Sequence, residues 1–164
     1  YLYHFPKMSG VPYTHEVITR LCDAFPDTIA GIKDSSSDWT HMQGLCTTFP
    51  DLQILAGNEA YLRDVLKAGG AGCISATVNV TSPLAGDIFA QHTATDKRGV
   101  QNRLTRIRRT LMAHPTIPML KQVMTWTTGH DGWLRMRPPL RPLPPSARHA
   151  LRGAYEALTL PLHS

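Results

Sequence analysis

Ile29-Ala30-Gly31-Ile32-Lys33-Asp34-Ser35-Ser36-Ser37 is a short apolar run that stops on a cation and opens into a polar turn. Five residues with β-branched content, bounded by polar residues, read as a buried strand. Thirty residues upstream, Tyr1-Leu2-Tyr3-His4-Phe5-Pro6 reads as a similar strand ending near Tyr3. Alternation places Ile29, Gly31 and Lys33 on one face, and Tyr1, Tyr3 and Phe5 on one face of theirs. If both faces look into the same interior, an amine and a phenol meet at the carboxyl ends of neighbouring strands. Gly31 beneath the lysine would leave room for its long side chain. A lysine set among apolar residues loses solvation in its charged form, which favours the neutral amine that attacks carbonyl carbons.

Working outward, the first half repeats with a period of about 24 residues. Phe25-Pro26-Asp27 precedes the strand at 29–33, and Phe49-Pro50-Asp51 precedes one at 52–56. Each Phe-Pro closes an amphipathic helix, since proline cannot continue one and restrains the residue before it. The first helix starts near Thr14, with Val17, Ile18, Leu21, Cys22 and Phe25 on its apolar face. The second starts at the N-cap Asp38, with Met42, Leu45, Cys46 and Phe49 facing inward. A third follows Asn58 with Tyr61, Leu62, Val65 and Leu66, and stops at Gly69-Gly70. A strand over 72–77 comes next, and Ser82-Pro83 opens a further helix. Strand and helix thus alternate four times over residues 1–93, the pattern of parallel strands covered by helices. Half a (β/α)₈ barrel and a small doubly wound sheet both fit it. Helices at about 96–113, 117–127 and 146–158 form a C-terminal extension over 94–164, with the Pro-rich link 137–145 between the last two.

The chain has 164 residues, 42% of them hydrophobic, ample for one core. No stretch approaches the roughly 20 apolar residues of a membrane span, and no basic leader precedes the first strand, so the reading is a cytoplasmic protein. Cys22, Cys46 and Cys73 are odd in number and set among apolar residues, as reduced thiols would be. The eight histidines show no metal spacing and there is no Cys-x-x-Cys, so no metal is expected. Net charge +5 conceals a split. Residues 1–96 hold five Lys/Arg against ten Asp/Glu, and residues 97–164 hold twelve against two. Arg103, Arg106, Arg108 and Arg109 lie on a helix whose other face is Val100, Leu104, Ile107 and Leu111. Without interleaved aromatics, a helix-turn-helix or zinc spacing, this reads as a solvated face pairing with the acidic half or another subunit, not as a nucleic-acid site.

Tyr3-His4-Phe5-Pro6-Lys7-Met8-Ser9-Gly10 followed by Ile29-Ala30-Gly31-Ile32-Lys33-Asp34-Ser35 resembles the paired signature of the dihydrodipicolinate synthase / N-acetylneuraminate lyase family. The resemblance continues through Gly57-Asn58-Glu59, Gly69-Gly70-Ala71-Gly72-Cys73-Ile74-Ser75 and Arg137-Pro138-Pro139-Leu140, so it covers essentially the whole chain. It implies a (β/α)₈ barrel, of which the C-terminal four units are here, and a lyase or aldolase acting on pyruvate or another 2-oxo acid. Lys33 would form the imine, which serves as the only cofactor, and Tyr3 would shuttle protons. Gly57, Asn58 and Glu59 would hold substrate hydroxyls, Glu59 being equally readable as a helix N-terminal acid. Ser75, with Thr77, would project from the fourth strand, as packing or as a substrate contact. Homo-oligomers, dimers or tetramers, are usual in the family.

Two departures sharpen this expectation. A (β/α)₈ barrel takes about 250 residues, and the Gly-Thr-Thr-Gly-Glu type loop that binds the 2-oxo acid carboxylate has no counterpart here, so the chain is expected to be a fragment. The synthases also place an arginine where Met8 stands, and the lyases a serine where Ala76 stands. Aspartate semialdehyde and sialic acid are therefore both disfavoured, and a 2-keto-3-deoxy sugar acid aldolase or dehydratase is favoured. A dihydrodipicolinate synthase and a non-catalytic truncated paralogue are the alternatives.

Overall fold

Four short strands run parallel in sequence order, β1 (Leu2–His4), β2 (Gly31–Asp34), β3 (Gln53–Ala56) and β4 (Gly72–Cys73). The computed structural model describes residues 1–91 and 98–158. Helices link each strand to the next: α1 (Pro6–Ser9) and α2 (His15–Ala24), α3 (Trp39–Thr48), and α4 (Leu62–Lys67) behind a 3₁₀ turn at Glu59–Tyr61. Then follow α5 (Val78–Ala90), α6 (Arg98–Leu111), α7 (Thr116–Thr128) and α8 (Pro145–Ala157). Four consecutive parallel strands, each followed by a helix, are half the strand complement of a (β/α)₈ barrel. The expected boundary at 93/94 lies outside the described residues.

The helix ends have the chemistry their sequences suggest. Thr14 accepts from Val17 N at 3.3 Å, and Asp38 from His41 N at 3.2 Å, each satisfying a first-turn donor. Both Phe-Pro repeats end their helices alike. Phe25 has φ −133°, ψ 66° and Phe49 has φ −125°, ψ 66°, extended-side geometries that precede a proline. Gly69 at φ +91° and Gly129 at φ +67° close α4 and α7 in a left-handed conformation.

Side-chain alternation divides the sheet into two unlike faces. His4, Ile32, Asp34, Ile54 and Ala56 point to the helices and are buried, packed with Ile18, Met42, Leu45, Cys46 and Val65. Each such aliphatic side chain contributes about 1.5–3 kcal/mol on burial. The opposite face carries Tyr1, Tyr3 and Lys33, with Tyr1 64% and Tyr3 50% exposed. Leu62, Leu66, Ala85, Ile88 and Leu104 join α4, α5 and α6. Ile107, Leu111, Met119, Val123, Leu151 and Tyr155 join α6, α7 and α8, with Val80 of α5 reaching into the same cluster.

The chain leaves β1 through the one-turn helix α1 directly after Phe5, ending in Gly10 at φ +71°. Two expectations need correction. The fourth strand stops at Cys73, and α5 begins at Val78, not at Ser82-Pro83. Residues 75–80 already wind through turn bonds, with Val80 N donating to Thr77 O at 3.0 Å. Pro83 therefore lies inside α5, where it forgoes a bond to the carbonyl of exposed Asn79. Burial of Val80, Ala85 and Ile88 offsets that loss. Finally, of the expected face of α2 only Ile18 is fully buried. Ile18 packs with Ile32 and Ile54, while Val17 and Phe25 are 38% and 54% exposed.

Candidate active site at the strand ends

Strand register sets the central pair. Tyr3 of β1 lies directly beside Lys33 of β2. The lysine Nζ sits 4.3 Å from the centroid of the Tyr3 ring, a cation–π contact that keeps amine and phenol together on the open face. Ser35, two residues past the lysine on the same side, directs its hydroxyl at the Tyr3 oxygen at 3.5 Å. That bond, ahead of the hydrogen bond and charge of Lys33, stabilises the phenolate and holds the Tyr3 pKa below that of ordinary tyrosine, against a smaller opposing effect of burial.

The glycines near this pair work differently from the expectation. A Cβ on Gly31 would strike the Gln53 carbonyl and come within 2.7 Å of the Tyr1 ring, so the space above Gly31 holds Tyr1 and not the lysine chain. At Gly57, a Cβ would collide with the Ser35 hydroxyl and lie 2.7 Å from Ser35 Cα. Only glycine lets the end of β3 pass this close to the residue that addresses Tyr3. Gly57 N also donates to Asp34 O at 2.6 Å.

Asn58, Glu59 and Ser75 have their polar atoms engaged within the protein. Asn58 caps the 3₁₀ turn, accepting from Ala60 N at 2.9 Å. The Glu59 carboxylate is fully buried and accepts from the Ser75 and Thr77 hydroxyls and from Arg108 Nη1 at 2.7 Å. Arg108 also reaches Ser75 Oγ at 2.9 Å and Thr77 Oγ1 at 2.8 Å. Gln101, two turns earlier on the same face, donates to the carbonyls of Glu59 and Ala60 at 3.0 and 3.2 Å. Helix α6 thereby ties down the turn after β3 and the turn after β4. Close by, burial first and the Glu59 charge second push the Cys73 thiol up to about 11, with Arg108 opposing, so the thiol is inert. No cysteine is in a disulfide.

Directly beneath the lysine, on the helix side, His4, Asp34 and His41 converge. Asp34 Oδ2 lies 2.8 Å from His41 Nδ1, His41 Nε2 lies 3.2 Å from the Tyr13 carbonyl, and Tyr13 N donates to His4 Nδ1 at 3.0 Å. The His4 and His41 rings stack at 4.3 Å with planes 20° apart. Lone pairs lie in the ring plane, so stacked imidazoles aim theirs along near-parallel lines and do not converge on one ion. Three of their four ring nitrogens already have polar partners. The trio is close enough for a metal, but its orientation suits hydrogen bonding.

Several of these residues escape a sequence reading. Ser35 stands in the quoted signature, yet its address to Tyr3 depends on Gly57 from the next strand. By composition alone Arg108 reads with its arginine neighbours as part of a solvated basic face. Its position four residues after Leu104 and seven after Gln101 puts it on the inward stripe, while Arg103, Arg106 and Arg109 are exposed. Met8 is 74% exposed on α1.

The family model of the dihydrodipicolinate synthetase family matches residues 1–158. The chain belongs to that family. An uncharacterized DapA-like lyase of Chloroflexus aurantiacus is 36% identical over 158 residues, covering 96% of this chain and 52% of the relative. An N-acetylneuraminate lyase of Lactiplantibacillus plantarum is 28% identical over 146 residues, covering 87% of this chain and 49% of the relative. The crystal structure of dihydrodipicolinate synthase from Agrobacterium tumefaciens superposes with TM-score 0.83 at 31% identity, covering 96% of this chain and 53% of that one. The chain spans about half the length of the curated relatives it matches, and its four strand–helix units take the place of part of their barrels. The relatives it matches carry the names of lyases, synthases and aldolases. Among the described residues, no helix is long and apolar enough to cross a membrane.

Proposed function

We propose that Lys33 forms an imine with the C2 carbonyl of pyruvate or another 2-oxo acid, and that Tyr3 carries the protons as a carbon–carbon bond is made or broken. The observation that carries this reading is the Lys33 amine held 4.3 Å over the Tyr3 ring at the carboxyl ends of adjacent parallel strands. The neutral amine attacks C2, and Tyr3 gives its proton to the oxygen that leaves as water. In the cleavage direction, the iminium draws in the C3–C4 bonding electrons. The C4 hydroxyl passes its proton to the Tyr3 phenolate, and an aldehyde departs. The resulting enamine takes a proton at C3, and water releases the 2-oxo acid from Lys33. The Ser35 hydrogen bond, by stabilising the phenolate, suits Tyr3 to both directions of transfer.

The iminium is the electron sink, so the proposed step draws on no metal and no organic cofactor. We favour 2-keto-3-deoxy sugar acids over aspartate semialdehyde, because exposed Met8 offers no cation for a second carboxylate. The same reading takes the working form to be a homo-oligomer. A coupled assay for pyruvate release tests it, with 2-keto-3-deoxy sugar acids as substrates and aspartate semialdehyde plus pyruvate as the competing synthesis. Release from a sugar acid that is abolished in Lys33→Ala is expected. Equal rates in wild type and Lys33→Ala, or turnover of aspartate semialdehyde alone, would overturn the assignment.

A further inference from the structure

We propose that His41 is a positioning residue for Lys33: its half-buried ring bridges Asp34 of β2 to the Tyr13 carbonyl and so braces the strand end that carries the amine. This inference rests on the imine reading above for its functional consequence, and on geometry alone for the brace.

Both acceptors facing His41 are oxygen atoms without a proton to give, a carboxylate at 2.8 Å and a peptide carbonyl at 3.2 Å. A neutral imidazole has one N–H and can serve one of them; the doubly protonated ring serves both. Asp34 is fully buried, so the positive ring is also the counter-charge its carboxylate needs. The other Asp34 oxygen accepts from Ser36 N at 2.7 Å, while Ser35 N donates to His4 O at 2.8 Å. Asp34 thus anchors the segment 33–36 from the helix side. Alternation sends its neighbours, Lys33 and Ser35, to the opposite side, where both meet Tyr3. An error in the anchor is an error in the amine's aim, and a displacement of about 1 Å can cost on the order of 10²-fold in rate.

The groups that face His41 come from four elements. They are His4 on β1, stacked at 4.3 Å, His15 on α2 at 5.5 Å between ring centroids, Asp34 on β2, and Asp38 at the start of α3. Burial first lowers the His4 pKa, the Asp34 charge opposes it, and the neighbouring His41 adds to the lowering. The His4 Nδ1 accepts from Tyr13 N.

The test has two arms. Ring-nitrogen NMR of the 164-residue protein at pH 6–7 should show two protonated nitrogens on His41; a single one would refute the brace, whatever the enzyme does. Second, the rate of borohydride trapping of pyruvate on Lys33 is compared at neutral pH in wild type, His41→Lys and His41→Gln, each checked for folding by circular dichroism. Folded His41→Gln should trap at least tenfold more slowly, and His41→Lys, which keeps a donor cation beside Asp34, should recover most of the rate. A full rate in His41→Gln, or His41→Lys as slow as His41→Gln, would overturn the positioning role. Absence of trapping in wild type would reject the imine reading, leaving the NMR arm to decide the brace.

Discussion

Replacing Arg108 with methionine should destabilise the protein by about 3–5 kcal/mol, the cost of leaving one member of a buried ion pair alone. The structure supports a value in this range. The Glu59 side chain has no exposure and that of Arg108 has 17%, with their charged atoms 2.7 Å apart. Methionine matches the length of the arginine stem, so packing against α6 is retained while the charge goes. Ser75 and Thr77 continue to donate to Glu59, and hydrogen bonds to a charged group are worth about 1.5–3 kcal/mol each. They hold the loss toward the lower end, near 3 kcal/mol, still a large part of the roughly 5–15 kcal/mol stability of a domain. Urea unfolding followed by tryptophan fluorescence and far-UV circular dichroism reads it directly. With a slope of about 1.5 kcal/mol per molar urea, the midpoint should fall by about 2 M. Arg108→Met combined with Glu59→Gln removes both charges and should recover more than half of the loss. A single variant within about 1 kcal/mol of wild type, or a double variant worse than the single, would refute the view that Glu59 depends on this arginine.

Three further outcomes follow from the same geometry. Tyr3 should ionise below the ordinary tyrosine range in an ultraviolet titration, and Ser35→Ala should move it back up, since the serine hydrogen bond is the largest cause of the shift; an unchanged titration would remove Ser35 from the site. His4 takes up a proton more readily unfolded than folded, so its contribution is complete above about pH 6.5 and stability declines as pH falls through that value. Urea midpoints at pH 5 and 7 should therefore converge in His4→Asn relative to wild type. Gly57→Ala should cost about 1–3 kcal/mol by overpacking against Ser35 and should disturb the Tyr3 titration as well, which a purely structural strain elsewhere would not.

Much of this arrangement is legible in the sequence because it is written in local chemistry. Periodicity and the two Phe-Pro stops place α2 and α3, and strict alternation along residues 1–3 and 31–33 puts Tyr3 and Lys33 on one face. What escapes is set by partners distant in the chain. Nothing near Gly31 says that Tyr1 fills the space above it, and nothing near Glu59 says that an arginine 49 residues later closes on its carboxylate. The Ser82-Pro83 pair reads as a helix start by local rules, but the turn bonds of residues 75–80 begin α5 one turn sooner. Likewise, His4 and His41 carry no metal spacing in sequence and meet only because the first turn of α3 brings His41 to the ends of β1 and β2.

The most direct test of the central claim is a peptide map after pyruvate and borohydride. Reduction of an imine on Lys33 blocks tryptic cleavage there, so the modified peptide should run from residue 21 to residue 63 and carry the mass of one reduced pyruvate. The account predicts that single adduct in wild type and its disappearance in Lys33→Ala. No adduct, or one that sits on Lys7, Lys67, Lys97 or Lys121 and survives Lys33→Ala, would contradict it.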